Sequence, residues 1–255
     1  MNPITTARTH GLPFLWYSLT DQVHSSIAVL PKYRTIAAKY YRRKQRPVDT
    51  YEIPMQPLER RFVDPQRITH VSEFPKHGYP TKNRMDQLGR VVSGKWDTET
   101  PRFDSQPLVQ SLRQRFNDGV AWKQTPYVKD VTTAVENDEM AWHNCQTVSD
   151  IEQRCEFVDQ LYEQIRTQGY QTQAEITIQT SYPRELTNEV LVDIGRNGQL
   201  LFINGQHRLA IAKILELETI PVTVMVRHTN WMETLAAEYQ RGDVRTHPDV
   251  GHLEA

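Results

Sequence analysis

Apolar residues recur with two different periods along this chain, and the change from one to the other marks out its elements. Ile151, Cys155, Val158, Leu161, Tyr162 and Ile165 fall on one face at helical spacing and predict a helix over residues 150–168. Ser149, with Glu152 three residues on, is the capping candidate before it, and Gly169 ends it. Leu108, Leu112 and Phe116 recur every four residues and predict a shorter helix within 107–119, stopped by Gly119. The period then shortens. Residues 174–180 alternate, and the apolar runs 190–195 and 200–204 flank Asn197-Gly198, a strong hairpin signal. Residues 209–217 read as a helix, 219–227 as a buried strand, and 51–55 as a further short strand. Helix, strand, hairpin, tight turn, helix and strand in that order predict an α/β (α+β) fold over a mixed sheet.

Between the first helix signal and the N-terminus the pattern is different. Residues 47–130 hold nine prolines, and Trp96 and Trp122 lie there with Trp142 close behind. The expectation is ordered, aromatic-pinned loops, because a tryptophan-bearing segment can bury enough apolar surface to stay folded.

Charge changes the picture at one place. The 255 residues carry 30 basic and 31 acidic side chains, which excludes a globally basic nucleic-acid coat. Seven of the basic residues, however, lie between Lys32 and Arg46 with no acidic residue among them. Tyr33, Ile36, Ala37, Tyr40 and Tyr41 interleave at helical spacing, so this segment reads as a basic amphipathic helix. Lys39, Arg42, Arg43, Lys44 and Arg46 are its candidate contacts to nucleic acid or an anionic membrane surface; the alternative is an ordinary solvated face. No run approaches 18 consecutive apolar residues, so no transmembrane segment is expected. The N-terminal residues lack the apolar run of a secretory signal, and two cysteines, Cys145 and Cys155, cannot build a disulfide framework. Both point to the cytoplasm.

The chemistry concentrates at Asn204, Gly205, Gln206, His207 and Arg208, between a predicted strand and a predicted helix. A glycine feeding a helix exposes backbone N–H groups at the positive end of the helix dipole, a geometry that favours a phosphate. Gly205 permits close backbone approach, Arg208 in the first turn offers a bidentate clamp, and His207 offers a hydrogen bond or a proton carrier. A second reading stands beside this one, in which Asn204 and Gln206 cap the helix and Arg208 pairs with Glu189 or Asp193.

The stretch VLVDIGRNGQLLFINGQHRLAIAKILELETIPVTV, residues 190–224, resembles the core of the ParB/sulfiredoxin-like superfamily: a hairpin, a G-x-x-R turn, an alanine-rich helix and an IPV strand. The helix at 150–168 and Gly169 extend the resemblance upstream, and residues 51–68 are placed to supply its first strand. The resemblance implies a domain over 48–228 with an insertion at about 85–145, a basic helical extension over 1–47 and a C-terminal tail over 229–255. It also implies that residues 205–208 bind nucleotide phosphates, with Mg²⁺ accompanying the nucleotide and with phosphoryl-transfer or hydrolytic activity open to it. Sulfiredoxins carry a catalytic cysteine directly after the glycine; Gln206 stands here, which argues against sulfinic-acid reduction. The 27 residues after His228 are too few for the helix-turn-helix region of partition proteins. The same fold appears in a free-serine kinase and in nucleases, so a nucleic-acid-binding or nuclease-like accessory protein is the alternative.

Other constellations are less specific. Trp142-His143-Asn144-Cys145 with Cys155 matches no zinc spacing, so no metal site is expected there. Arg227, His228 and Trp231 close the last strand, where they either line the same cleft or form a surface group. Asp64, Glu185, Glu189 and Asp193 are carboxylates able to hold Mg²⁺ or act as a base, and Lys82, Arg84 and Arg90 can add positive charge.

Overall fold

The longest strand, Ile220–His228, is buried at all nine of its residues. That is the burial expected for an uninterrupted apolar run in the middle of a sheet covered on both faces. The computed structural model describes residues 50–53, 59–74, 88–176, 184–242 and 247–249. The basic segment 32–46, Lys82 and Arg84 lie outside them. The strands are β1 (Arg61–Val63), β2 (His70–Val71), β3 (Arg90–Val92), β4 (Val190–Ile194), β5 (Leu200–Asn204) and β6 (Ile220–His228). The helices are α1 (Pro107–Phe116), α2 (Pro126–Glu136), α3 (Val148–Gln168), the single turns α4 (Gln173–Ile176) and α5 (Arg184–Thr187), then α6 (Gln206–Ile214) and α7 (Thr229–Gln240). The fold is α/β with a mixed sheet.

The sheet runs in the order β1-β6-β4-β5-β2. One edge of β6 is shared: its first residues pair antiparallel with β1 and its last, Val226 to His228, parallel with β3. β4 lies parallel to β6 on its other side and antiparallel to β5. Alternation divides the sheet between two cores. Val190, Val192 and Ile194 face the larger core, with Leu112 of α1, Val131 of α2, Val158 of α3, Leu209 of α6 and Leu235 of α7. Leu191, Leu201 and Met225 face a smaller one with Phe74, Leu88 and Trp96.

Several local expectations are redrawn. α3 is capped by Thr147, not Ser149: Thr147 Oγ1 accepts from the Asp150 N–H at 3.1 Å, and Asp150 Oδ2 accepts from the Thr147 N–H at 2.9 Å. Asp150 thus closes a reciprocal box two residues earlier than the Ser149–Glu152 pair. In the alternating run, Thr172 and Glu175 form a similar box, and residues 173–176 turn into α4; residues 177–180 lie outside the described part. No strand forms over 51–53, and the first described strand is β1. α6 starts directly after Gly205, not at residue 209. The hairpin loop spans 195–199, so Asn197-Gly198 is its tip region rather than a two-residue turn. Gly198 has φ +81°, and a β-carbon on it would lie 2.7 Å from the Trp231 ring.

The aromatic pinning of the proline-rich segment is present, since Trp96, Trp122 and Trp142 are all buried. The loops are fewer than expected. Pro126 occupies the first turn of α2, where its missing N–H costs nothing, and Val128, Val131 and Val135 form the buried face. Residues 229–240, read as the start of a tail, form α7, with Trp231, Met232 and Leu235 buried. Among the described residues, no helix is long and apolar enough to cross a membrane.

Candidate functional site

β5 ends at Asn204, and the chain turns into α6 through Gly205 at φ 90° and ψ 34°. Two constraints require the glycine. Its φ is left-handed, and a β-carbon would stand 3.1 Å from both Cα and Cγ2 of Val190 on the adjacent strand. The carbonyl of Gly205 accepts from the Leu209 N–H at 3.0 Å and closes the first turn. No side chain caps this N-terminus. Gln206 instead directs its amide to Gln106 Oε1 at the start of α1. The backbone N–H groups of the first turn stand at the positive end of the helix.

Arg208 reaches back under the turn. Its Nη2 donates to the Asn188 carbonyl, and Nη1 faces Glu189 Oε2 at 3.6 Å. Of the second reading offered by the sequence, the Arg208–Glu189 pairing is present and, among the described residues, the capping by Asn204 and Gln206 is not. Glu189 is fully buried and accepts from Arg60 Nε at 2.9 Å and from the Gln173 N–H at 2.8 Å. Burial pushes its carboxyl up, against the lowering effect of the Gln173 N–H and the guanidinium groups of Arg208 and Arg60. Burial also pushes the neighbouring Tyr170 phenol up to about 12, with Arg208 opposing it.

The turn opens onto a cleft of about 390 Å³. Gly205, His207 and Arg208 form one wall, and Phe157, Gln164 and Ile176 stand opposite. Phe157 and Ile176 are 49% and 48% exposed, unusual for large apolar side chains. Phe157 lies off the apolar stripe of α3, the one trace of this face in the sequence.

A loop from the segment read as an insertion supplies the rest. Trp142 Nε1–H donates to His207 Nε2 at 3.3 Å, and the His143 ring lies 5.6 Å from that of His207. Trp142, His143 and Asn144 have φ of 28°, 62° and 71°, three successive left-handed residues without a glycine. Each such residue costs roughly 1–3 kcal/mol and persists only where its surroundings impose it. Here they do: Ala141 and Cys145 exchange backbone hydrogen bonds of 3.1 and 2.7 Å, and Cys145 Sγ donates to the Trp142 carbonyl at 3.0 Å. His143 drew notice in the sequence only as a metal-ligand candidate, and Trp142 also as one of the pinning tryptophans; the place of Trp142 beside His207, 65 positions away, is a matter of tertiary packing.

No family model, no curated protein and no solved structure matches the chain.

The remaining candidates lie elsewhere. Arg227, His228 and Trp231 do not line this cleft. Val190, beside Gly205, pairs with Val222, so Arg227 is five residues further along β6, about 17 Å away at ~3.3 Å per residue. Arg227 is instead buried against Asp249, His228 bonds the Gly94 carbonyl at 2.9 Å, and Trp231 packs on Gly198. Asp193 fills an irregularity in the sheet: the β4–β6 register shifts between Val192 and Ile194, and its Oδ1 accepts the Val226 N–H at 3.0 Å while Ser72 Oγ donates to Oδ2. Asp64 caps the turn at Pro65–Arg67 through the Gln66 N–H at 2.7 Å and lines a different cleft, near Lys213 at the far end of α6. Arg90 sits in β3, beside the far half of β6, and the Glu185 side chain is outside the described part. Cys145 and Cys155 are free and buried, and burial pushes the Cys155 thiol up to about 12.

Proposed function

We propose that the chain binds a nucleotide or another phosphorylated ligand in the cleft at residues 205–208. The observation that carries the reading is a left-handed glycine, with no side chain to cap the first turn, opening a nine-residue helix onto a cleft with His207 and Arg208 on its wall. The first-turn N–H groups meet the phosphate, with the helix dipole favouring its charge. Phe157, Leu161 and Ile176 offer an apolar surface to the rest of the ligand, and the amides of Gln160 and Gln164 offer donors and acceptors. A phosphate attached to a flat heterocycle uses both halves; inorganic phosphate uses one. The resemblance of residues 190–224 to the ParB/sulfiredoxin-like core supports the same assignment, and the protein is proposed to act in the cytoplasm.

Mg²⁺ held by the protein does not fit the donors present. Among the described residues no three His, Cys, Asp or Glu side chains gather at one point, and Glu189 is engaged by Arg60, Gln173 and Arg208. The ligand is tested by calorimetric titration with nucleoside mono-, di- and triphosphates against inorganic phosphate. Saturable nucleotide binding that inorganic phosphate displaces only weakly supports the reading; heat from neither rejects it.

The uncompensated charge of residues 32–46 favours a second reading, in which that segment holds the protein on nucleic acid or on an anionic membrane. Each basic residue near an anionic bilayer contributes about 1 kcal/mol. The two readings separate by salt, because contact with a phosphate backbone weakens steeply with ionic strength and a single nucleotide pocket does so less.

A further inference from the structure

The contact between Trp142 and His207 decides which nitrogen of the imidazole carries a proton. Nε1 of Trp142 lies 3.3 Å from Nε2 of His207, with the ring planes 20° apart and the centroids 5.9 Å apart. The two rings are nearly parallel, and the indole N–H is directed at Nε2 within hydrogen-bond distance. An indole N–H only donates. Nε2 of His207 must therefore accept, and the proton of the neutral ring sits on Nδ1. An imidazolium would set one N–H against another. Its position disfavours that form as well, since His207 is the second residue of α6, at the positive end of the helix and next to Arg208.

We infer that Trp142 is a positioning residue that fixes His207 as the neutral Nδ1–H tautomer and so keeps its Nε2 from acting as a proton acceptor for the cleft. This assigns a use to the unusual backbone at Trp142, His143 and Asn144. The left-handed turn holds the indole N–H against the imidazole while both rings are buried, at 6% and 9% exposure. It also revises the role the sequence suggested for His207, because a ring whose Nε2 is already taken by a permanent donor cannot collect a proton there.

The inference takes the cleft at residues 205–208 as the site, but its test needs no ligand, so failed nucleotide binding and a wrong tautomer are separate results. The experiment is long-range ¹H–¹⁵N correlation of the histidine rings in the full-length protein at neutral pH, with His207 assigned by comparison with His207→Gln. The expected result is an unprotonated, pyridine-type Nε2 and a protonated, pyrrole-type Nδ1. A protonated Nε2, alone or with Nδ1, overturns the assignment. Trp142→Phe keeps a ring and removes the donor, and it is expected to move His207 toward the Nε2–H tautomer; an unchanged Nδ1–H tautomer in that variant overturns the role of Trp142. Should Trp142→Phe fail to fold, the indole N–H resonance of Trp142 serves instead. It is expected to shift upfield in His207→Gln if the hydrogen bond is real, and an unmoved resonance counts against it.

Discussion

Arg208 Nη1 stands 3.6 Å from Oε2 of Glu189, a carboxylate with no solvent exposure at the root of β4. The side chain best placed to clamp a phosphate is thus also part of the support beneath the turn. Arg208→Ala is expected to do two things at once: abolish ligand binding and lower stability by about 1–3 kcal/mol, the cost of leaving buried acceptors at Glu189 and Asn188 with fewer partners. Arg208→Lys restores the charge without the planar fork and is expected to recover part of the stability but little of the binding. Urea melts beside ligand titrations separate the two effects. A variant that binds as wild type contradicts the clamp.

Gly205 carries two penalties and Gly119 only one. Both have positive φ, but a β-carbon at Gly119 meets nothing within 4 Å, whereas at Gly205 it meets Val190 at 3.1 Å. Gly119→Ala is expected to cost about 1–2 kcal/mol from the left-handed backbone alone. Gly205→Ala is expected to cost more, because the strand must also move away, and it is expected to weaken ligand binding as well. Equal costs for the two substitutions contradict the close-approach argument.

Acid is expected to loosen the described C-terminal residues. His247 Nε2–H donates to the Gly198 carbonyl at 2.8 Å, while Nδ1 accepts the Asp249 N–H at 3.1 Å, so the native ring is neutral. Burial holds its pKa below the ordinary 6.5, aided by the charges of Arg67 and Arg227 and opposed by Gly198 and Asp249. Between that depressed value and 6.5 the unfolded chain binds more protons than the folded one, so stability is full above 6.5 and falls as pH drops through the folded pKa. Asp249 adds a second loss at lower pH: burial alone would raise its carboxyl, but Arg227 and Arg61 hold it below 3.8. Melting temperature measured from pH 7 to pH 5 is expected to decline, and less so in His247→Asn. Identical slopes in the two proteins contradict this origin.

Removing residues 1–46 takes away seven basic residues and no acidic one from the 32–46 segment. The truncated chain is expected to lose co-sedimentation with anionic vesicles and retention on DNA at roughly 50 mM salt, where backbone contacts are strong, while keeping nucleotide binding. Retained polyanion binding places the contact elsewhere.

The parts legible in the sequence were those set by local periodicity. The unbroken apolar runs of β6 and β4 match strands buried on both faces, the run of β5 pairs with β4, and the stripe of α3 matches its one buried face, so pattern and structure agree within a few residues. α2 escaped because Pro126 was read as a breaker where it opens a helix, and because its buried residues are valines, weak helix formers that only packing holds. At the candidate site, Gly205 was legible because a strand–glycine–helix turn is a local feature. The Arg208–Glu189 pairing was foreseen as one of two alternatives, since 19 positions separate the two across a hairpin whose direction the pattern defines. Trp142 beside His207, and Asp249 against Arg227, depend on long-range docking of segments with no periodic signal of their own.

The most direct test is a thermal-shift series with nucleotides on wild type and on Gly205→Val. A ligand at 100 times its Kd that binds only the native state adds about 2.7 kcal/mol. For a domain of this size that is a rise in Tm of roughly 5–10 °C. The expected result is a concentration-dependent rise of that order for at least one nucleotide in wild type, absent in Gly205→Val measured against its own baseline. No rise with any nucleotide or phosphorylated compound, or the same rise in both proteins, contradicts a phosphate seat at the Gly205 turn.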